Sequence, residues 1–187
     1  MKKIVLFASG NGSNAEKIIL HFKKYSLANV VGVFSNNSNA KVLEIAKQHQ
    51  IETVLFDKKE LYDGFVLKKL QNIHPDLIVL AGFLLKFPES IIGNFPNKII
   101  NIHPALLPKY GGKGMYGLKV HKAVLENKEK ETGITIHYVN ENYDQGAYIS
   151  QYKINIQNCN TAEEIAQKIQ ELEHEYFPKI ISKLLED

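Results

Sequence analysis

Apolar residues in this chain come in short continuous runs separated by longer segments with helical spacing. Residues 4–8, Ile4-Val5-Leu6-Phe7-Ala8, form the first such run and predict a buried strand. A polar turn follows, Ser9-Gly10-Asn11-Gly12-Ser13-Asn14, and residues 15–25 then read as a helix. The pattern repeats, with strands predicted at 30–34, 53–56, 76–80 and 98–102. Helices are predicted at 40–49 and at 59–73, the latter with its charges on one side. Strands alternating with helices of this length predict parallel βαβ units, an α/β fold and a doubly wound sheet. Runs such as Leu77-Ile78-Val79-Leu80 suit central strands covered on both faces.

The rhythm changes after Ile102. Residues 104–115 are rich in Gly and Pro and make a long loop for a compact domain, which is a mark of functional loops. A helix is expected over 118–126, and alternation predicts strands over 133–139 and 147–156. Thr161-Ala162-Glu163-Glu164 is a capping-box start for a last helix. That helix would bury Ile165, Ile169, Leu172, Tyr176, Ile180 and Leu184, and Pro178 should kink it near His174.

Length and composition narrow the picture only modestly. A chain of 187 residues suggests one domain, and a hydrophobic share of 44% can build a real core. The net charge of +3 suits a phosphorylated small molecule and is too weak to argue for nucleic acid. The single Cys159 excludes an internal disulfide and fits a reducing compartment. The opening apolar run is too short for a signal peptide, and no stretch is long enough to span a membrane. The expectation is a soluble, cytoplasmic protein.

The chemistry concentrates in Asn101-Ile102-His103-Pro104-Ala105-Leu106-Leu107-Pro108-Lys109-Tyr110-Gly111-Gly112. Asn101 and His103 lie two apart at the end of a strand, so they project from one face. An amide donor beside a titratable base can meet a carbonyl oxygen that is gaining charge, which is what acyl transfer needs. Carboxyl ends of parallel strands are where open α/β sheets bind ligands. The plainer alternative is a polar pair that satisfies loop backbone.

Three further features bear on this pair. Gly10-x-Gly12-x-x-Ala15 matches a dinucleotide fingerprint, but the second strand ends Phe34-Ser35-Asn36-Asn37 with neither the required carboxylate nor an arginine. The turn still directs backbone N–H groups toward a helix N-terminus, which suits a phosphate, with Ser13 and Asn14 as added donors; simple helix capping is the alternative. Asp144, in the polar turn Asn140-Glu141-Asn142-Tyr143-Asp144-Gln145-Gly146, either bonds its own turn or orients His103 and stabilises its imidazolium. Glu173 sits on the apolar side of the last helix and needs a partner, be it a cap, a salt bridge or a substrate amine. His121, His137 and His174 show no metal-ligand spacing, and no metal site is expected.

Together these motifs resemble the folate-dependent phosphoribosylglycinamide formyltransferases of purine synthesis. The resemblance runs from Ala8-Ser9-Gly10-Asn11-Gly12-Ser13-Asn14 through Leu80-Ala81-Gly82-Phe83 and the Asn101–His103 motif. It continues in Gly133-Ile134-Thr135-Ile136-His137-Tyr138-Val139 and Tyr143-Asp144-Gln145-Gly146, and ends in Glu173-His174-Glu175-Tyr176-Phe177-Pro178. It implies a Rossmann-like formyltransferase fold: a single doubly wound, mostly parallel sheet with antiparallel C-terminal strands and a long C-terminal helix. Residues 1–187 would form one domain, with phosphate-binding βαβ units in the N-terminal half and the catalytic residues in the C-terminal half.

The resemblance also implies an activity, formyl transfer from 10-formyltetrahydrofolate to the amine of phosphoribosylglycinamide. Asn101, His103 and Asp144 match the family's catalytic set, and Asp144 is expected to raise the His103 pKa. Gly12, Ser13 and Asn14 match its ribose-phosphate turn, and Glu173 its glycinamide contact. Leu84, Leu85, Lys86 and Phe87 would line the folate pocket together with Asn101, while Asn140, Glu141, Asn142 and Tyr143 close over the pterin. Lys59 is the nearest match to a basic residue that contacts a ligand carboxylate in some members, and Leu107-Pro108 matches a Leu-Pro that is often cis. The partners implied are small molecules, with no nucleic acid, membrane or metal, acting on a monomer or weak homodimer.

Two departures stand out. The loop over 111–120 is longer than in many members, and the segment around Leu85 lacks the Arg that some carry. Competing readings are a formyltransferase for another amine, such as an aminosugar nucleotide or initiator tRNA, and a 10-formyltetrahydrofolate hydrolase. A non-catalytic folate or nucleotide sensor and a nicotinamide dehydrogenase belong to other classes. The tRNA relatives usually carry an added C-terminal domain and the hydrolases an added N-terminal one, and neither is expected here.

Overall fold

The computed structural model describes residues 1–186, so the last residue of the expected 1–187 domain lies outside the described residues. Five strands form a parallel set: β1 (Lys2–Phe7), β2 (Ala28–Ser35), β3 (Glu52–Leu55), β4 (Leu77–Leu80) and β5 (Ile99–His103). β6 (Glu131–Tyr138) and β7 (Tyr148–Asn155) extend the sheet antiparallel, giving seven strands in the order β3-β2-β1-β4-β5-β6-β7. The helices are α1 (Ser13–Tyr25), α2 (Lys41–Gln48), α3 (Lys58–Tyr62), α4 (Phe65–Ile73), α5 (Glu89–Asn94), α6 (Leu118–Glu126) and α7 (Ala162–Glu186). The mixed sheet and the long terminal helix are those expected.

Strand alternation divides the core into two layers. Ile4, Leu6, Leu77, Val79, Ile100, Ile102, Ile134 and Ile136 pack on one face with α1 and α7. Val5, Phe7, Ile78, Leu80 and Ile99 pack on the other with Phe34, Val66, Leu70, Phe87 and Ile91. Successive residues point to opposite faces, so Asn101 and His103 share the face of Ile99. The same parity puts Thr135 and His137 opposite Ile134 and Ile136.

The helical reading needs two corrections. The expected helix over 59–73 is two helices, α3 and α4, broken at Asp63-Gly64. Gly64 takes φ 98°, open to glycine but costly for other residues, and Asp63 Oδ1 accepts the Phe65 N–H at 3.1 Å. α5 was not expected at all. α7 starts as read, with Thr161 Oγ1 accepting the Glu164 N–H and Glu164 Oε2 accepting the Thr161 N–H. It runs 25 residues with Pro178 inside, and Phe177, Ile181 and Leu185 join Ile165, Ile169 and Ile180 as its buried face, while Leu172, Tyr176 and Leu184 are only partly covered.

The segment after β5 is clamped onto β6. Thr135 Oγ1 donates to the Ala105 carbonyl (2.7 Å) and accepts the Leu107 N–H (3.0 Å), and Gln151 Nε2 donates to the Leu107 carbonyl (2.9 Å). The Leu107-Pro108 bond is cis. Gly133 lets this clamp close, since a Cβ there would strike the Tyr152 carbonyl of β7 and the Leu106 side chain. Gly133→Ala is therefore expected to destabilise the protein by about 1–3 kcal/mol through overpacking, measured by urea or thermal unfolding.

Candidate active site

Register brings the polar residues together. β5 pairs with β6 so that Asn101 lies opposite His137 and His103 opposite Thr135. The His137 Nδ1 contact is the Tyr138 carbonyl at 2.9 Å, and a carbonyl can only accept, so Nδ1 carries a proton. In the neutral ring Nε2 is then the acceptor, and Asn101 Nδ2 donates to it at 3.2 Å. Among the described residues the second Nδ2 hydrogen of Asn101 has no partner, and Asn101 lines the cleft.

His103 is fixed in the same way. It is only 4% exposed, and its Nε2 donates to the Tyr110 carbonyl at 2.7 Å. That leaves Nδ1 facing Asp144 Oδ2, 3.5 Å away. Asp144 Oδ2 also accepts the Gly112 N–H at 2.9 Å. Asp144 Oδ1 lies 3.6 Å from His137 Nε2, a close approach too long for a hydrogen bond. Asp144 takes φ 55°, in the left-handed region that Asp enters more easily than most residues.

Asp144 has the expected effect on His103, but it is not the largest one. Asp144 does push the His103 pKa upward, as does the Tyr110 carbonyl. Burial outweighs both, and the net direction is below the ordinary 6.5. His103 is therefore mostly neutral at pH 7. Burial pushes the Asp144 carboxyl up, but His137, His103 and the Gly112 N–H together hold it below its ordinary value, so it stays an anion. The pair becomes a charge-assisted contact when His103 takes a proton.

The glycine turn forms another part of the site. α1 begins at Ser13, earlier than expected, with Gly12 at φ 75° as its N-cap. Ser13 Oγ accepts from Gln170 Nε2 at 3.1 Å, and Asn14 Nδ2 donates to Glu173 Oε2 at 2.8 Å, so the turn is tied to α7. Asn14 Oδ1 is buried and has no partner among the described residues. Burial pushes the Glu173 carboxyl up to about 7, against the opposing pull of Asn14. Where a dinucleotide site would need an acid, Asn36 Oδ1 instead accepts from Ser9 Oγ at 2.6 Å. Ser9 Oγ in turn accepts the Leu84 N–H at 3.1 Å, joining this turn to the 84–87 segment.

All of this opens onto one cleft of about 710 Å³. Asn14, Glu173, Asn101, His103 and Asp144 line it, as do Leu84, Leu85, Lys86, Phe87, Asn140, Asn142 and Tyr143. Gly12, Ser13, Glu141 and Lys59 do not. Gly12 supports the turn from behind, and on α3 it is Tyr62 that reaches the 84–87 segment, donating to the Lys86 carbonyl at 3.0 Å. Among the described residues no group of three or more His, Cys, Asp or Glu is placed to hold a metal, and no helix is long and apolar enough to cross a membrane.

Sequence reasoning missed two contributors. His137 touches Asn101 and approaches Asp144, and its only sequence signal was the alternation that pairs it with Thr135. His121 of α6 lines the cleft with Nδ1 buried and unpartnered. Its pKa falls to about 4 through burial and, secondarily, the charge of His103. Residues 112–118, the end of the loop expected to be functional and the first residue of the expected helix, wall the cleft throughout.

The raised carboxyl at Glu173 has a checkable sign. A folded-state pKa raised from 4.5 to about 7 favours the folded state while Glu173 is protonated, and that contribution is lost as pH rises across this window. Glu173→Gln removes the loss. Its melting temperature relative to the unaltered chain should climb from pH 4.5 to pH 7 and level off above, as read by calorimetry across that range.

Known proteins of similar sequence and shape place the chain. Residues 2–181 match the Formyl transferase family model. The chloroplastic phosphoribosylglycinamide formyltransferase of Arabidopsis thaliana is 37% identical over all of this chain, which spans 66% of that relative's length. The phosphoribosylglycinamide formyltransferase of Escherichia coli (strain K12) is 35% identical over 96% of this chain and 85% of its own length. The crystal structure of the Anaplasma phagocytophilum phosphoribosylglycinamide formyltransferase superposes with a TM-score of 0.91 at 33% identity, covering 100% of this chain and 88% of that one. The chain belongs to the formyl transferase family, in the branch of the phosphoribosylglycinamide formyltransferases.

Proposed function

We propose that this protein transfers a formyl group from 10-formyltetrahydrofolate to the amine of N1-(5-phosphoribosyl)glycinamide. The observation that carries the reading is the meeting of Asn101, His103 and Asp144 in the cleft that Asn14 and Glu173 also line. In this reading residues 1–187 work as one domain. The N-terminal βαβ units hold the ribose phosphate at the Gly12-Ser13-Asn14 turn, and the C-terminal half carries the reactive groups. Leu84 to Phe87 and Asn140 to Tyr143 receive the folate. The protein acts on small molecules in the cytoplasm, as a monomer or weak homodimer.

The folate brings an already activated formyl group, so neither a metal nor a covalent enzyme intermediate is required. When the amine attacks the formyl carbon, negative charge grows on the carbonyl oxygen. The free Asn101 Nδ2 hydrogen would meet that oxygen, and protonated His103 would supply a second donor through Nδ1. Burial makes protonation of His103 unfavourable, and negative charge developing on the nearby carbonyl oxygen favours it. Asp144 steadies the resulting imidazolium. The C–N bond to the folate then breaks, and the proton lost by the attacking amine reaches the folate nitrogen with His103 as carrier. Glu173 and the unpartnered Asn14 Oδ1 offer acceptors to the amine-bearing substrate.

Incubation with both substrates and spectroscopic detection of tetrahydrofolate release is the direct assay. Turnover is expected, and His103→Ala or Asn101→Ala should lower kcat about 10²- to 10³-fold. Turnover confined to an aminosugar nucleotide, or an active His103→Ala enzyme, would overturn the substrate or the role assignment respectively.

A further inference from the structure

The turn Tyr110-Gly111-Gly112 holds both members of the His103–Asp144 pair. The Tyr110 carbonyl accepts from His103 Nε2 at 2.7 Å, and two residues later the Gly112 N–H donates to Asp144 Oδ2 at 2.9 Å. Gly111 between them has no room for a Cβ, which would meet Leu107 Cδ2 at 2.5 Å and Asp144 Cβ at 3.3 Å. Tyr110 itself sits at φ 58°, a left-handed conformation that is unfavourable for a bulky L residue. Local preference does not favour it, so other contacts must hold it there.

Its side chain supplies such a contact. Tyr110 Oη donates to Glu129 Oε1 at 2.9 Å, just beyond the end of α6. Lys109 Nζ donates to the same oxygen at 3.0 Å. Burial, then the hydrogen bond and charge of Glu129, push the Tyr110 hydroxyl up to about 12. Hydrogen bonds from Lys109 and Tyr110 hold the Glu129 carboxyl below its ordinary value. Donor and acceptor therefore keep their roles throughout the neutral range. The backbone clip on His103 and Asp144 is tied through this contact to α6, the helix that carries His121.

We propose that Tyr110 and Glu129 are positioning residues: their side-chain contact sets the Tyr110 carbonyl against His103 Nε2, so that Nδ1, facing Asp144, is the nitrogen that takes and releases the proton. With the contact cut, Tyr110 can relax out of the left-handed region, and its carbonyl swings off Nε2. The imidazole then loses its assigned tautomer and its fixed plane. The kinetic part of this inference rests on the formyl-transfer reading; the effect on His103 does not.

Three variants and one titration test it. Tyr110→Phe removes the donor, Glu129→Ala removes the acceptor, and Glu129→Gln keeps an acceptor oxygen. The groups whose charge His103 feels, Asp144 and His137, are untouched in all three, as is His121, whose own pKa His103 lowers. Because the Tyr110 carbonyl raises the His103 pKa, NMR titration should find His103 shifted further down in Tyr110→Phe and Glu129→Ala, and near the unaltered chain in Glu129→Gln. In formyl transfer, kcat should fall about 10- to 100-fold in the first two variants with KM nearly kept. The Tyr110→Phe/Glu129→Ala double variant should be no worse than either alone. An unmoved His103 titration, an unchanged kcat in an active enzyme or additive losses would overturn the tether, even where the melting temperature falls. Absence of formyl transfer in the unaltered chain would instead defeat the functional reading, and the titration alone would then decide the tether.

Discussion

The antiparallel pairing of β5 with β6 is the constraint on which the site rests. It sets Asn101 against His137 and His103 against Thr135, and it does so between strands whose alternate residues belong to a packed core. A slip of β6 by one residue would turn Ile134 and Ile136 toward the cleft and drive Thr135 and His137 into apolar surroundings. The register is fixed from the other edge as well, because β5 pairs parallel with β4 through Ile78, Val79 and Leu80. Hydrophobic burial on one face of the sheet thus positions chemistry on the other.

The polar face has its own logic. Two buried imidazoles each donate to a backbone carbonyl, His137 to Tyr138 and His103 to Tyr110, and each thereby presents its other nitrogen to the site. A carbonyl cannot donate, so tautomer choice is made by backbone geometry and needs no further titratable group. Asp144 lies between the two rings, held by the Gly112 N–H. Left-handed backbone at Asp144 and Tyr110 adds strain where function is proposed, which is where proteins tend to retain it. Burial pulls the His103 pKa below its ordinary value against the opposing push of Asp144 and the Tyr110 carbonyl.

Much of this was legible in the chain, for identifiable reasons. Continuous apolar runs marked β1 and β4 because both faces are covered, and Asn101 and His103 were found because they close such a run. The break at Asp63-Gly64 escaped because the charge pattern of 59–73 continues across a single glycine. His137 escaped because alternation separates inward from outward positions but cannot tell a face covered by a loop from one open to water. The polar side of β6 reads as solvent-facing and is instead covered by residues 105–107, with Thr135 fully buried. The direction of the His103 pKa likewise depends on burial outweighing an ion partner, a balance that residue identity leaves open.

The glycine turn shows how one motif can be required for more than one reason. A Cβ at Gly12 would press on Val42 within 2.8 Å, side chain and backbone alike, so α2 demands glycine there whatever ligand binds. The fingerprint therefore reports close packing between the turn and α2 first, and a phosphate site only through what surrounds it. Those surroundings come from the far end of the chain. Asn14 bonds Glu173 and Ser13 bonds Gln170, across more than 150 residues of sequence. A dinucleotide site takes its discriminating acid from the end of the second strand, close to the turn in space. Here that position holds Asn36, bonded to Ser9 within the turn, and the acidic group is supplied by α7. The carboxylate thus stands on α7 instead of β2 and faces the cleft, where the proposed reading uses it as an acceptor for the substrate amine.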